Sequence, residues 1–356
     1  MRILAINPGS TSTKIAVFED CKELFSNTIR HSVDELAPYP SIADQHEFRT
    51  KVIIDTLREK DYRIRDFDII VGRGGLVKPI AGGVYRVNDA MIHDMRNSPL
   101  GEHASNLGGI IANEFAKSVP KEIPSYIVNP VVVDELEPLA RFSGIPELPR
   151  ISIFHALNQK AVARRYAREV GKPYDEINVI VVHLGGGITV GAHKQGKVVD
   201  VNNGLDGDGP FSPERAGSVP VGQLAKLCFS GKYQLHEIKK MITGKGGMVA
   251  YLGTNSALDI EKEIESGNEH YRECYEAMAY QIAKEIGALS TVMMGKVDAI
   301  LITGGLARSE MLTEWIKERV GFIADVKLFP GEDEMQALAE GVYYATMGEI
   351  PVKEYE

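Results

Sequence analysis

Residues 4–17 read LAINPGSTSTKIAV, which places a polar, glycine-containing turn between two short apolar strands. Residues 181–192 read VVHLGGGITVGA and repeat this pattern, with Thr13 aligned on Thr189. Glycine turns of this kind let backbone N–H groups approach an anion closely enough to hold a phosphate group. A strand follows each turn, whereas a P-loop and a dinucleotide fingerprint both lead into a helix. We therefore expect a duplicated fold that holds the phosphates of a nucleotide in the cleft between its halves.

Length and charge limit the class of protein. The chain has 356 residues, which is longer than one hydrophobic core usually grows, so two domains are expected. Its composition is that of a folded globular protein, with 44% hydrophobic and 25% charged residues. The net charge of −9 argues against a nucleic-acid partner, which would require an excess of Lys and Arg.

Three scattered cysteines, Cys21, Cys228 and Cys274, form no C-x-x-C pair. This pattern is typical of reduced cytosolic thiols and not of a disulfide framework or a zinc site. No apolar run approaches the roughly 20 residues that a membrane span requires. We therefore expect a cytoplasmic protein without a membrane partner.

The apolar pattern along the chain predicts alternating strands and helices, and hence an α/β architecture. A proline-rich connector, Pro138–Pro149, is the expected domain boundary. One domain is expected to comprise residues 1–150 with 335–356, because the last helix returns to it, and the other to comprise residues 151–334. Strands are predicted at Lys22–Arg30, Phe67–Gly72, Ser125–Val128, Lys197–Val201 and Val297–Thr303, and helices at Phe48–Glu59, Asp89–Arg96, Ala104–Lys117, His155–Val170, Glu269–Met294 and Asp333–Met347.

Other nucleotide and catalytic motifs are incomplete or absent. Residues 191–198, GAHKQGKV, match the P-loop spacing until Val198, which replaces the Ser or Thr that would hold magnesium. A hairpin turn at Lys194–Lys197 is the better interpretation. No G-x-G-x-x-G follows the first strand, and the sequence contains neither an H-E-x-x-H metal motif nor a G-x-S-x-G nucleophile elbow.

The first turn, Asn7–Lys14, resembles the opening phosphate loop of the acetate kinase family, which shares a superfamily with sugar kinases, heat-shock ATPases and actin. The resemblance continues in order through Gly72–Gly75, Phe154–Ala156, His183–Gly187 and Thr303–Gly305, and so covers nearly the whole chain. It implies a duplicated actin-like (ribonuclease H-like) α/β fold of two domains, with the nucleotide in the interdomain cleft. It also implies a homo-oligomer, at least a dimer.

Three segments resemble the butyrate kinases of this family more than its acetate kinases. They are Gly185–Gly187, where acetate kinases carry an asparagine, Gly209–Arg215, and Pro330–Glu334. The resemblance implies reversible, direct in-line transfer from ATP to butyrate, or to a similar short or branched-chain carboxylate. The products would be ADP and an acyl phosphate, and Mg²⁺ would be required. An acetate or propionate kinase of the same family remains an alternative.

A carboxylate acceptor determines what the site must do. Its pKa lies at about 4–5, so it is ionised at neutral pH and needs no general base. The site must instead bring two anions together by positioning and charge neutralisation. Arg73 is expected to pair with the acyl carboxylate, because a guanidinium group matches both of its oxygens. The resemblance marks Asp134, at the end of a predicted apolar strand, as an active-site aspartate that we expect to orient magnesium-bound water or Arg73.

The resemblance also implies roles for the other candidates. His155 and Arg215 would flank the γ-phosphoryl group. The metal carboxylate would be Glu334 or its neighbour Asp333, with Glu332 also close, and Asn7 would help to hold the metal. The candidate nucleotide-binding residues are Asn7, Ser10, Ser12, Lys14, His183, Gly185, Gly186, Gly187, Gly304 and Gly305.

Two functions of other kinds share the implied fold. A non-catalytic, ATP-driven switch of the actin or heat-shock type would not need the anion-acceptor residues Arg73, Asp134 and Arg215. A sugar kinase would need a base to deprotonate a hydroxyl group, together with several side chains that bind hydroxyls. The carboxylate kinase is therefore the preferred interpretation.

Overall fold

The computed structural model describes residues 1–97, 101 and 103–356. The chain divides into two compact units, one formed by Met1–Val133 with Asp333–Glu356 and the other by Asp134–Glu332. The proline-rich segment Pro138–Pro149 lies within the second unit, so the chain leaves the first unit earlier than the expected boundary.

A mixed sheet forms the centre of the first unit. Its strands follow the order β12-β5-β6-β4-β1-β2-β3, in which β1 pairs antiparallel with β2 and parallel with β4. The central strands are buried on both faces, because helices and their apolar side chains cover the sheet. The strands of this unit are Arg2–Pro8 (β1), Ser12–Glu19 (β2), Lys22–Arg30 (β3), Ile69–Arg73 (β4), Val84–Arg86 (β5), Ser125–Val128 (β6) and Val352–Lys353 (β12), and its helices are Val33–Leu36 (α1), His46–Glu59 (α2), Asp89–Asn97 (α3), Asn106–Lys117 (α4) and Glu334–Thr346 (α12).

The second unit has its own mixed sheet, with strand order β11-β10-β7-β8-β9. The strands are Asn178–Leu184 (β7), Ile188–Lys194 (β8), Lys197–Val201 (β9), Ala299–Gly304 (β10) and Val326–Pro330 (β11). The helices are Ala156–Glu169 (α5), Val221–Cys228 (α6), Leu235–Ile242 (α7), Gly247–Leu252 (α8), Ala257–Glu265 (α9), Glu269–Val292 (α10) and Glu310–Val320 (α11). The long helix α10 buries Met278, Ile282 and Ile286 against this sheet, so its apolar stripe belongs to the core.

The two predicted strand–turn–strand segments are confirmed, one in each unit. In the first, Pro8 on β1 lies opposite Thr13 on β2. In the second, His183 on β7 lies opposite Thr189 on β8. The hairpin between β8 and β9 is also confirmed, since β8 ends at Lys194 and β9 begins at Lys197.

The apolar strand predicted to end at Asp134 is wrong. β6 ends at Val128 because Asn129 adopts a positive φ of 39° and Pro130 has no N–H to donate. Beyond this point Val133 makes an isolated bridge with Ile80.

Candidate active site

The turn between β1 and β2 is stabilised from the protein interior by hydrogen bonds from one arginine, Arg49. Gly9 N donates to Ser12 O across the turn at 2.7 Å. Arg49 of α2 is fully buried, and its Nη1 donates to Gly9 O at 2.8 Å and to Ser12 O at 2.9 Å. Its Nη2 donates to Ser10 O at 3.0 Å. Three carbonyl groups of the turn are therefore directed to Arg49.

Arg49 also brings a positive charge under the turn. Its other hydrogen bonds go to Thr13 Oγ1 at 3.0 Å and to Gln45 Oε1 at 2.8 and 3.1 Å, so within the described chain none of its acceptors is a carboxylate. Burial lowers the pKa of Arg49 to about 10, which leaves the guanidinium protonated at neutral pH. A buried cation without a compensating carboxylate favours an anion on the other side of the turn.

The predicted residues Asn7, Arg73 and Glu334 lie together in the first unit. Asn7 is near the end of β1 and Arg73 ends β4, so parallel pairing brings both to one edge of the sheet. Glu334 is the first residue of α12. Asn7 Nδ2 donates to Glu334 Oε2 at 2.6 Å, and Arg73 Nη1 donates to Glu334 Oε1 in an ion pair. The cation predicted for the substrate is thus paired with a protein carboxylate.

A close approach of backbones fixes the position of Arg73. A Cβ atom added to Gly72 would overlap the backbone of Gly108, and one added to Gly108 would overlap the backbone of Arg73. Only glycine at both positions lets α4 pack this closely on β4. The end of β4 is consequently rigidly placed.

The other predicted residues of the first turn differ in exposure. Ser10 and Lys14 are exposed, and Lys14 lies opposite Asn7 in the strand register. Ser12 is partly buried, and Asp333 precedes α12 as its N-cap residue. All four are in the unit that contains Arg73 and Glu334.

The second turn lies directly against Arg215. Gly185 N donates to Gly187 O at 3.1 Å, and Gly186 O accepts from Ser212 Oγ at 2.7 Å. A Cβ atom on Gly187 would overlap the Arg215 guanidinium, so glycine at this position lets the guanidinium lie against the turn. Burial lowers the pKa of Arg215, whose Nη1 donates to Gly204 O. The predicted cation is therefore beside the predicted turn.

Two predicted histidines stack on each other beside this turn. The rings of His155, just before α5, and His183, on β7, have centroids 3.8 Å apart and planes 11° apart. His155 Nδ1 contacts Thr189 Oγ1 at 2.9 Å. His183 Nδ1 contacts Asn158 Oδ1 at 2.8 Å, and its Nε2 lies 3.4 Å from Glu332 Oε1. Glu332 therefore lies beside the histidines of the second unit.

The strand-to-helix turn after β10 contains the last two predicted glycines. Gly304 has φ 94° and a Cβ there would overlap the carbonyl of Leu184, so only glycine fits. Gly304 and Gly331 exchange backbone hydrogen bonds of 3.0 and 3.1 Å. A Cβ on Gly305 would have open space around it, so the turn is accessible there.

Asp134 has partners of its own in the second unit. Its carboxylate accepts from both Nη atoms of Arg141, at 2.7 and 2.8 Å, and from Leu136 N at 3.2 Å. A bidentate pair of this kind holds both side chains in one orientation. The orienting roles that the sequence suggests for Asp134 stay predictions.

Residues 1–97, 101 and 103–356 contain neither a cluster of metal-ligating side chains nor a membrane-spanning helix. No group of three or more His, Cys, Asp or Glu side chains in this range is arranged to hold a metal ion. Asn7 and Glu334 still fit Mg²⁺, which usually binds one or two carboxylates and takes its other oxygens from phosphates and water. No helix in the same range is both long and apolar enough to cross a bilayer.

Comparison with known proteins places these residues in a family. The Acetokinase family profile matches residues 148–325. Butyrate kinase 2 of Clostridium acetobutylicum is 56% identical over 355 residues, covering 100% of this chain and 99% of that protein. The chain belongs to the acetokinase family. The assignment to a family of carboxylate kinases, made from the turns and loops of the sequence, is confirmed.

Solved structures of other acetokinases share the fold. An acetate kinase from Porphyromonas gingivalis superposes with a TM-score of 0.80 at 20% identity, over 96% of this chain and 98% of that one. A propionate kinase from Francisella tularensis superposes with a TM-score of 0.74 at 17% identity, over 95% and 98%. The predicted actin-like α/β fold class is confirmed.

Sequence reasoning missed the side chains that support the turns. Arg49 was not selected, although it lies four residues before Ile53 and eight before Leu57, on the buried face of α2. A charged residue in register with an apolar stripe was the available signal. Asn158 and Gln159 lie in the first turn of α5 in the same way, and both are buried beside the histidines.

Proposed function

We propose that this chain transfers the γ-phosphoryl group of ATP to butyrate, or to a similar short or branched-chain carboxylate, and releases ADP and an acyl phosphate. The identity to a butyrate kinase over the full chain supports the choice of acceptor. The structural observation that carries the proposal is the cluster of Arg73, Asn7 and Glu334 beside a phosphate-type turn. A guanidinium at this place can bind a carboxylate as well as it binds Glu334.

The acceptor carboxylate enters the reaction as a ready nucleophile. It is ionised at neutral pH, since its unperturbed pKa is about 4–5, so no residue has to remove a proton. Arg73 would orient its two oxygens, and the chemical barrier would be lowered by groups that neutralise the transferring phosphoryl group. Arg215 and His155 are the candidates in the second unit, and Lys14 and the N–H groups of the first turn are the candidates in the first.

Magnesium is expected to accompany the nucleotide. When bound it would neutralise phosphate charge. It would be held by Asn7 together with one carboxylate, from either Glu334 or Asp333. Glu334 would then divide its charge between the metal and Arg73. Asp134 would act by orientation, through its pair with Arg141 or through water, and not as a base.

The experiment that tests the function traps the product. The protein is incubated with ATP, magnesium and butyrate in the presence of hydroxylamine, which converts an acyl phosphate into a hydroxamate. We expect butyryl hydroxamate to form in proportion to ADP. ADP release without hydroxamate for any short carboxylate would favour an ATP-driven switch and overturn the proposal.

We also expect a homo-oligomer, at least a dimer, in the cytoplasm, and an exposed loop supports the association of two copies. The loop comprises residues 139–151, and within it the backbone N of Arg150 donates to O of Arg141 at 3.0 Å. Five apolar side chains of the loop are 49–84% exposed, far more than a solvated surface usually tolerates in one place. They are Leu139, Phe142, Ile145, Leu148 and Ile151. Light scattering of Phe142→Asp should show more monomer, whereas Val33→Asp, at an equally exposed valine of the first unit, should not.

A further inference from the structure

A chain of hydrogen bonds runs from the interior of the second unit to His155. Tyr174 Oη contacts His193 Nδ1 at 2.8 Å, and His193 Nε2 contacts Gln159 Oε1 at 3.0 Å. Gln159 Nε2 contacts Thr189 Oγ1 at 2.8 Å, and Thr189 Oγ1 contacts His155 Nδ1 at 2.9 Å. His193, Gln159 and Thr189 are fully buried, so water cannot replace a missing partner.

The direction of the chain follows from one backbone contact. Gln159 Nε2 also lies 3.1 Å from Thr189 O, and a carbonyl oxygen can only accept. The amide nitrogen of Gln159 is therefore at this end and its oxygen faces His193. His193 Nε2 must then carry a hydrogen. Burial, with Lys160 and Arg164 nearby, lowers the pKa of His193 well below its usual value, so the ring is neutral and Nδ1 accepts from Tyr174.

The same reasoning identifies the donor in the hydrogen bond between Thr189 and His155. Its hydroxyl oxygen accepts from Gln159, so its single hydrogen needs another acceptor. The partner available to this fully buried hydroxyl is His155 Nδ1, 2.9 Å away. His155 Nδ1 therefore accepts and carries no hydrogen of its own.

We propose that Thr189 and Gln159 are positioning residues that hold His155 as a neutral imidazole with its hydrogen on Nε2, so that His155 donates a hydrogen bond to the transferring phosphoryl group. The inference rests on the proposed function for the identity of that group. A donor fixed before the reaction stabilises developing negative charge without reorganisation. The other tautomer would present a lone pair at Nε2 and would repel phosphoryl oxygens.

The neighbouring histidine, His183, carries a hydrogen on Nδ1, unlike His155. Thr303 Oγ1 donates to Gly331 O at 3.1 Å and accepts from Asn158 Nδ2 at 3.4 Å. Asn158 Oδ1 therefore faces His183, whose Nδ1 donates to it. His183 Nε2 lies 3.4 Å from Glu332 Oε1. The two stacked rings, with centroids 3.8 Å apart, therefore differ at Nδ1, which donates in His183 and accepts in His155.

The test reads the tautomer directly. Nitrogen-15 spectra of the full-length protein labelled at histidine are recorded without nucleotide, and His155→Gln identifies the His155 signals. We expect a protonated Nε2 and an unprotonated Nδ1 at His155. A hydrogen on Nδ1 in the wild-type protein would overturn the inference. This reading needs no substrate, so it stands or fails separately from the kinase activity.

Two variants test the role of Thr189. Thr189→Val removes the hydroxyl at nearly constant shape, and we expect both tautomers of His155 to appear and kcat to fall about tenfold or more, with KM for butyrate little changed. Thr189→Ser keeps the hydroxyl and should restore the Nε2–H signals and most of kcat. Unaltered His155 signals in a folded Thr189→Val protein would contradict the proposal.

Discussion

Glu334 accepts hydrogen bonds from Arg73 and from Asn7, one through each carboxylate oxygen. The residue that we expect to hold magnesium thus also fixes the arginine that we expect to hold the acceptor. Charge-assisted pairs of this kind restrict a guanidinium to one orientation. The same pair must loosen or share its charge when an acyl carboxylate arrives, which makes Arg73 and Glu334 the first residues to test.

Arg73→Ala should lose transition-state binding and keep the fold. Removal of a charge-assisted pair with the substrate is worth about 2–4 kcal/mol, or roughly 30- to 1,000-fold in kcat/KM. Lysine should restore only part of this, because an ammonium group cannot form the two-pronged contact. Arg86→Ala, on β5 of the same sheet and with its side chain 48% exposed, is the matched control and should be nearly neutral. Normal turnover of folded Arg73→Ala would remove Arg73 from the site.

Asp134→Asn should reduce kcat by roughly 100-fold or more at every accessible pH, because small displacements of groups that position substrates have effects of this size. Since no proton has to be removed, the wild-type pH–rate profile should show no limb that belongs to this carboxylate. Arg141→Ala, which keeps Asp134 but removes its bidentate partner, should cost less. A deprotonation limb that vanishes only in Asp134→Asn would show an acid–base role.

Arg49→Met should weaken nucleotide binding, because it removes the charge and the hydrogen bonds that support the turn between β1 and β2. The change removes the guanidinium donor from three turn carbonyls, of which Ser12 O keeps a second donor in Gly9 N, and we expect about 2–4 kcal/mol less free energy of unfolding and a higher KM for ATP. Arg58→Met is the control, since Arg58 lies on the same helix but is mostly exposed. Kinetics and chemical denaturation of both proteins give the comparison. An unchanged KM for ATP in folded Arg49→Met would mean that the charge does not reach the phosphates.

The local spacing of apolar residues predicts some strands and helices of this structure and not others. The strands around both turns and the helix α10 follow from long, regular apolar spacing. The helices α6, α7 and α9 were not predicted, because they are short and bury at most one side chain each. The strand predicted to reach Asp134 ends earlier, because the positive φ of Asn129 interrupts it. Asp134 instead pairs with Arg141. Contacts such as Arg49 with the first turn join residues about 40 apart, which no local pattern encodes.

Acid should destabilise the protein through the buried side chain of His193. The pKa of His193 is well below its usual value because of burial and the nearby cations Lys160 and Arg164. Below about pH 6.5 the unfolded chain therefore binds a proton that the native ring does not, and stability falls by about 1.4 kcal/mol per pH unit for this group. Denaturation of His193→Gln between pH 6.5 and 5 should show a shallower slope. His236→Gln, at an exposed position on α7, should leave the slope unchanged, and equal slopes for both would contradict the assignment.

Chain length of the acceptor is the sharpest test of specificity. An apolar pocket for butyrate gains about 0.8 kcal/mol, or roughly fourfold, for each buried methylene group. Butyrate has two more methylenes than acetate, so burial alone should favour it roughly 15-fold, and more if acetate leaves a void. Isobutyrate and valerate should react within about tenfold of butyrate, because apolar pockets discriminate weakly between similar shapes. Values of kcat/KM for acetate, propionate, butyrate, isobutyrate and valerate decide this, and a maximum at acetate would overturn the butyrate assignment while leaving the carboxylate kinase intact.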